Sequence, residues 1–422
     1  MRTLVLGAGV SGRAALGLAR RLGHRVVVYD REPVTDLGDV AVVSGTWDRL
    51  TLDGIDLVVA SPGFGERSPA ITDALEAGVE VIGEVEFAWR EIAAPTVAVT
   101  GTNGKTTVTG LIADMLTASG LNAPALGNIG TPVSDWTSEP LDVLVLEMSS
   151  FQLRFTDRFH CHVAVVTNVA EDHLDWHGSV AGYREAKARI VSNQTEDDFV
   201  VFDALDPGAR TVAARSVATP VGVAADGSNG AGVIGGELVW DGSAVPLSAV
   251  SVDDPVYLTD LALAGVAALA MGADADAVAG VAKSFTPGAH RRQVVFDADG
   301  VRWVDDSKAT NPHAALASIG AFGSVILIAG GLAKGLDISP LATAEGVKTV
   351  IAIGESAPVL LAAAGERGLA ASSMEQAVEL ARGLAVPGDV VLLAPGCASY
   401  DMFDSYAARG DAFAAAARSE TK

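Results

Sequence analysis

Thr96-Val97-Ala98-Val99-Thr100-Gly101-Thr102-Asn103-Gly104-Lys105-Thr106-Thr107 is an apolar, β-rich run that breaks into a glycine turn and ends on Lys-Thr-Thr. Val108, Leu111, Ile112, Met115 and Leu116 then recur with the periodicity of one helix face. Strand, glycine turn and helix start, in that order, aim backbone N–H groups at phosphate oxygens. Residues 101–107 therefore read as an ATP loop: Gly101, Thr102, Asn103, Gly104, Lys105, Thr106 and Thr107. Lys105 would reach the terminal phosphates and the Thr106 hydroxyl would sit on Mg²⁺. The spacing departs from GxxxxGK[ST], because Val99 stands at the first glycine position. The bland alternative is a glycine turn with a surface lysine; the flanking strand and helix argue against it.

A second apolar run, Leu141 to Leu146, ends in Glu147. A strand that delivers a carboxylate beside a phosphate loop is how such folds hold Mg²⁺. Outward from this centre, short Val/Ile/Leu runs alternate with Ala-rich helical stretches, which predicts an α/β protein with parallel sheets covered on both faces. Runs at 3–7, 26–29, 57–60 and 79–82 form a first block. Those at 96–100, 143–147 and 162–167 form a second, and those at 301–304, 324–329, 349–353 and 389–394 a third. Breaks near Ala93-Ala94-Pro95 and Thr286-Pro287-Gly288 divide the chain into 1–93, 94–287 and 288–422. The Gly- and Val-rich stretch between about 198 and 257 reads as hairpins or a small antiparallel edge.

Composition sets the outer bounds. At ~100–200 residues per domain, 422 residues imply several domains. A hydrophobic share of 49% with 19% charged is globular. The formal charge of −23 argues against a nucleic-acid or anionic-membrane surface, since either needs a basic face. Cys161 and Cys397 stand far apart, which disfavours a disulfide framework or structural zinc and fits a reducing cytoplasm. Leu261 to Ala273 is short of the ~20 apolar residues needed to cross a bilayer. The expectation is a soluble, cytoplasmic, monomeric protein with no membrane insertion.

Lys187 stands inside the apolar stripe Val180, Tyr183, Ile190, Val191, while Glu185 and Arg189 face away. Burial disfavours an ammonium, and a neutral amine can add CO₂ to become a carbamate, an oxygen ligand for Mg²⁺. Snorkelling of the lysine head to solvent is the competing reading. Upstream, Glu171-Asp172-His173-Leu174-Asp175-Trp176-His177 fits either a zinc site or a histidine near phosphate and Mg²⁺.

In the first block, Gly7-Ala8-Gly9-Val10-Ser11-Gly12 follows a strand and opens a helix, and Asp30 ends the next strand. This dinucleotide fingerprint makes an NAD-linked dehydrogenase the rival function. Ser61-Pro62-Gly63 adds another tight loop at a strand end. In the third block, the strand at 301–304 enters Asp305-Asp306-Ser307-Lys308-Ala309-Thr310-Asn311, with Asn311 and Pro312 as N-cap and N1 of a helix. Gly330-Gly331 with Lys334, and Gly396-Cys397-Ala398-Ser399, end two further strands.

Together these segments resemble the Mur ligases over nearly the whole chain. The resemblance rests on GAGVSG, SPG, TGTNGKTTVTG, GNIG at 127–130, LEMSSFQL, TNVAEDHLD, YREAKARI, AHR at 289–291, DDSKATN, GG with Lys334, and CASYDMF. LEMSSFQL and DSKATN point to the D-glutamate-adding branch. It implies a Rossmann-like UDP-binding domain, a central P-loop ATPase-like domain and a C-terminal Rossmann-like domain that binds D-glutamate. It implies addition of D-glutamate to UDP-N-acetylmuramoyl-L-alanine through an acyl phosphate. One Mg²⁺ would bind Thr106 and Glu147, a second His173 and carbamylated Lys187, with Lys105, His173 and Lys187 serving catalysis. Arg291 and Asp306 would grip ATP, and Asn128, Ser149 and Gln152 would contact substrate. Lys308, Thr310, Lys334, Ser399 and Tyr406 match the D-glutamate pocket, and Val10, Ser11, Asp30 and Gly63 the UDP site, which carries no NAD. Two departures stand out. Val256-Tyr257-Leu258-Thr259-Asp260 replaces an HN-x-x-N segment that meets adenine in the family, and Arg31-Glu32 replaces a Thr-Arg pair after Asp30.

Overall fold

The computed structural model describes residues 1–224, 231–240 and 243–419. Met1–Val169 and Ala181–Phe285 form one compact unit; Ala170–Val180, with the residues from Thr286 onward, form another.

The first unit contains two parallel sheets. One runs Ala41–Ser44, Arg25–Asp30, Arg2–Leu6, Leu57–Ala60, Glu80–Gly83 in spatial order. The strand Ala41–Ser44 escaped the sequence pattern because most of it is exposed. The other runs Thr219–Val223, Phe199–Asp203, Val163–Val166, Thr96–Thr100, Leu144–Glu147, Ala125–Gly127. Alternation along its strands splits the core. Val97, Val99, Val145 and Val165 face the helices Lys105–Ala118 and Pro255–Ala270, while Ala98, Leu144, Leu146, Ala164 and Val166 join the opposite cluster.

The hairpin expectation for 198–257 needs correcting. Phe199–Asp203 and Thr219–Val223 are parallel strands joined through the helix Pro207–Ala213, whose N-cap Asp206 accepts the Ala209 N–H. An Asp-Pro helix start in this Gly- and Val-rich stretch was the missed signal. Among the described residues of that stretch, only Gly232–Ile234, Glu237–Trp240 and Ser243–Pro246 pair antiparallel. Residues 225–230 and 241–242 of that expectation, and 420–422 of the third block, lie outside the described residues.

A buried carboxylate ties the two parallel sheets of this unit together. Glu86, on the helix Glu84–Trp89, is fully buried and accepts the N–H groups of Asp157, Arg158 and Phe159 plus the Arg90 guanidinium. Nearby, Glu84 accepts the Ser134 N–H, and burial holds its carboxyl above the usual carboxylate range.

The second unit has one mixed sheet: Gln293–Ala298, Val301–Asp305, Val390–Leu393, Val325–Gly330, Val347–Ile353, Gly368–Ala370. The first pair is antiparallel and the rest are parallel. Asp305 pairs with Leu393 and Leu393 with Ile328, so three strands end side by side and their following loops share one rim. Among the described residues, no helix is long and apolar enough to cross a membrane.

Glu86→Ala should lower stability by about 3–5 kcal/mol, because three N–H groups, one of them that of buried Phe159, and the Arg90 guanidinium lose their buried acceptor together. A urea-denaturation midpoint unchanged from wild type would contradict this account.

Candidate active site

The glycine turn at 101–104 is held from beneath. Thr102 N–H donates to the Asn168 carbonyl at 2.8 Å, Asn103 N–H to Asn168 Oδ1 at 2.9 Å, and Thr167 Oγ1 to the Asn103 carbonyl at 2.6 Å. These contacts need glycines. A Cβ on Gly101 would lie 1.8 Å from Thr167 Oγ1, and Gly104, at φ +81°, would meet Asp260 Oδ1 at 2.8 Å. Asp260, from the segment that departs from the family pattern, thus packs under the phosphate loop and is itself buried.

Two lysines point at the same atom. Lys105 Nζ donates to the Gly101 carbonyl at 2.9 Å and to that of Thr102 at 3.0 Å. Lys187 Nζ donates to the Gly101 carbonyl at 2.5 Å and lies 4.7 Å from the Tyr183 ring centroid. Lys187 is 1% exposed, so its head does not snorkel. Tyr183 OH in turn meets Thr102 Oγ1 at 3.0 Å. The apolar stripe and the phosphate loop therefore meet through Tyr183 and Lys187.

Glu147, at the end of the neighbouring strand, is 2% exposed. Its Oε1 accepts from Asn128 Nδ2 at 2.7 Å, while Oε2 is buried without a hydrogen-bond partner among the described residues. An orphaned carboxylate oxygen in this setting fits a divalent cation, which would supply the missing positive charge. Ser149 and Gln152 satisfy each other in a capping box on the helix Ser150–Arg154. Gln152 also lines a cleft with Ser11, Pro62, Gly83, Phe151 and Phe155, so Ser11 and Gln152 meet at one opening. Val10 is exposed, as is Gly63. Asp30 accepts the Ala8 N–H at 2.7 Å and that of Glu32 at 3.1 Å, closing the fingerprint loop on its own strand end.

In the second unit, the residues 306–310, 331–334 and 396–399 come off the shared rim. Leu332 and Ala398 exchange backbone hydrogen bonds, which places Lys334 and Ser399 on adjoining loops. Lys308 Nζ lies 3.8 Å from the Tyr406 ring centroid. The Thr310 N–H donates to the Lys308 carbonyl at 2.8 Å, and Ser399 is buried. Asp306 is buried and accepts the Arg292 N–H; burial pushes its carboxyl up to about 6, against the pull of the Arg292 and Arg291 charges. Arg291 is half-buried. His173 belongs to this unit, with backbone φ +51° and Nε2 3.8 Å from Asp172 Oδ2. The zinc alternative finds no support: no group of three His, Cys, Asp or Glu side chains suited to a metal occurs among the described residues.

Three features of the rim escaped the sequence reading. Arg409 is 1% exposed, donates to Ser307 Oγ, the Ser307 carbonyl and the Cys397 carbonyl, and is lowered to about 10 by burial. His290 Nδ1 lies 2.7 Å from Asp305 Oδ2. Asp172 contacts Asn311 and Lys334. Arg409 lies far along the chain from Ser307, and His290 from Asp305, so no local pattern marks these pairings; His290 stood unused in the AHR segment and Asp305 in DDSKATN.

Three family models match. Residues 1–83 match the Mur ligase MurD-like N-terminal domain, 99–236 the Mur ligase middle domain, and 290–397 the Mur ligase glutamate ligase domain. Relatives named UDP-N-acetylmuramoylalanine–D-glutamate ligase include those of Mycobacterium avium, 38% identical over 98% of this chain and 96% of its own, and Streptomyces coelicolor, 39% identical over 98% and 97%. Among solved structures, MurF ligase of Thermotoga maritima in complex with ADP is 17% identical with a TM-score of 0.60, covering 98% of this chain and 93% of that one. The UDP-N-acetylmuramate-alanine ligase MurC of the same organism is also 17% identical, with a TM-score of 0.53 over 94% and 96%. At that identity the likeness speaks for the fold. With matched models along most of its length and relatives near 40% identity from end to end, the chain belongs to the Mur ligase family.

Proposed function

We propose that this chain is an ATP-dependent ligase that adds D-glutamate to UDP-N-acetylmuramoyl-L-alanine through an acyl phosphate, in cytoplasmic peptidoglycan precursor synthesis. The observation that carries the reading is the phosphate loop beside a buried carboxylate with one unshared oxygen, in a chain so close to D-glutamate ligases.

Activation requires a carboxylate oxygen to attack the γ-phosphate of ATP, two anions that repel each other. The turn at 101–107 offers backbone N–H groups and the start of the helix Lys105–Ala118, and Lys105 exchanges its loop carbonyls for phosphate oxygens. Thr106 with Glu147 would hold one Mg²⁺, and His173 with carbamylated Lys187 a second. Bound there, the cations supply charge neutralisation as the phosphoryl group moves. Asn128 fixes the Glu147 carboxylate by its hydrogen bond, leaving Oε2 for the cation. The pair Ser149 and Gln152 would contact the muramoyl substrate, whose UDP lies on Val10, Ser11, Asp30 and Gly63. D-glutamate would be held by Lys308, Thr310, Lys334, Ser399 and Tyr406, and ATP further gripped by Arg291 and Asp306. The amine then attacks the acyl carbon, and phosphate leaves from a tetrahedral intermediate. We take the working form as a monomer.

Phosphate release from ATP should require both UDP-N-acetylmuramoyl-L-alanine and D-glutamate. A coupled assay with release independent of either acid would end this reading.

Lys187→Ala should cut turnover by about a hundred- to a thousand-fold, in the range for losing one electrostatic element of a site. A short carboxylate additive should restore part of it; full activity in the unsupplemented variant would remove the carbamate.

Asp306 binds its proton more tightly folded, at about 6, than at the ordinary value of 3.8. Native protein then holds more protons than unfolded protein between these values, so stability falls as pH rises through the window. Asp306→Asn should therefore gain on wild type by up to about 3 kcal/mol between about pH 4 and about pH 7, while binding ATP more weakly. Denaturation midpoints at both ends of the window check the sign.

A further inference from the structure

We propose that Asp172 accepts the α-ammonium group of the incoming amino acid and so makes the pocket select an amino acid over a bare dicarboxylate. This rests on the reading of the C-terminal rim as the D-glutamate site.

Asp172 lies on Ala170–Val180, which packs within the second unit. It is 5% exposed. Its Oδ1 accepts the His173 N–H at 2.8 Å and lies 3.9 Å from Lys334 Nζ; its Oδ2 accepts from Asn311 Nδ2 at 3.2 Å. Asn311 is itself fixed, because its Oδ1 caps the helix Pro312–Ile319 by accepting the Ala314 N–H at 2.9 Å. His173 and Lys334 on either side both hold left-handed backbone, at φ +51° and +52°. Non-glycine residues adopt that region when the surroundings impose it, and such positions cluster at ligand clamps.

Charge counting decides what the carboxylate is for. D-glutamate carries two carboxylates and one ammonium. Lys308, Thr310, Lys334, Ser399 and Tyr406 supply two cations and three hydroxyls but no anion. A site of that make would hold a plain dicarboxylate as well as an amino acid, and would enclose the ammonium without a charged acceptor, which is costly. Asp172 supplies the missing charge. At 3.9 Å, Lys334 stands at the outer limit of an ion pair, and a carboxylate has about four lone-pair sites. Two N–H donors leave room for another. The geometry also suits the substrate head, since its α-carboxylate and α-ammonium share one carbon and Lys334 and Asp172 stand side by side. The same contact orients the nitrogen that forms the amide bond.

Glutarate, which is D-glutamate without its amine, separates this role from simple support of Lys334. In wild type, glutarate should inhibit with a Ki well above the KM for D-glutamate. Asp172→Asn should raise that KM about 10- to 100-fold, the worth of one charge-assisted hydrogen bond. The glutarate Ki should stay within a factor of about two to three or tighten, and the KM for ATP should not move. If D-glutamate and glutarate weaken together, Asp172 merely holds Lys334, and the proposal falls; it falls too if the KM for D-glutamate is unchanged. Should the variant not fold, the wild-type comparison still decides, because equal affinity for glutarate and D-glutamate overturns the assignment. Absence of D-glutamate-dependent turnover in wild type would instead refute the underlying reading of the site.

Discussion

One carbonyl oxygen, that of Gly101, accepts from two ammonium groups, and the phosphate loop of the first unit is arranged around that fact. Two like charges converging on a buried atom repel each other, and a shared carbonyl offers only a partial negative charge to each. In the proposed reaction that arrangement would be relieved as anions arrive: phosphate oxygens would draw Lys105 off the loop, and carbamylation, as proposed, would turn Lys187 from a cation into an anion. The loop that bears this carbonyl cannot shift to suit, because Thr167, Asn168 and Asp260 fill the space beneath it. Rigid backbone with exchangeable side-chain partners is what a phosphoryl-transfer site needs, since stabilisation by oriented groups requires no reorganisation during reaction.

The second unit solves a different problem with a buried cation. Arg409 ties the loop after Val301–Asp305 to the loop after Val390–Leu393 through Ser307 and Cys397. None of these partners is a carboxylate, and burial lowers the guanidinium to about 10, still charged at neutral pH. Holding two loops that follow separate strands fixes the distance between Lys308 and Ser399 without closing the rim over them. The dyad of His290 and Asp305 buttresses the same loop from behind, with Asp305 also accepting the Ser307 N–H.

Period and turn chemistry were enough to read the parallel sheets from sequence, because fully buried strands such as Thr96–Thr100 and Val325–Gly330 are unbroken apolar runs. They failed for strands at a sheet edge or next to one. Ala41–Ser44 and Gln293–Ala298 are largely exposed, and Phe199–Asp203 is only partly covered, so neither alternation nor a continuous run marks them. The phosphate loop was legible in its glycine turn; the apolar stripe left Lys187 open between burial and snorkelling, and the family resemblance tipped that reading to burial. Asp172, Asp260 and Arg409 were not legible. Each acts on a group distant in sequence, and a carboxylate or guanidinium carries no mark of what it will meet.

A chain of net charge −23 that handles ATP, a nucleotide-linked sugar and a dicarboxylate works against its own long-range field. Screening limits that cost, since beyond about 8 Å at physiological salt the overall charge is largely hidden. Inside that distance the local groups decide, and they are short-ranged and directional: loop N–H groups, a helix start, Lys105, Lys308 and Lys334. Acidic residues then gain a use in the proposed sites: Glu147 would bring a cation to the phosphates, and Asp172 would oppose ligands that offer only negative charge. An acidic surface with placed cations rejects polyanions at large and admits those whose shape lets the few donors act together. The net charge thus sharpens selection where a basic protein would bind such ligands without discrimination.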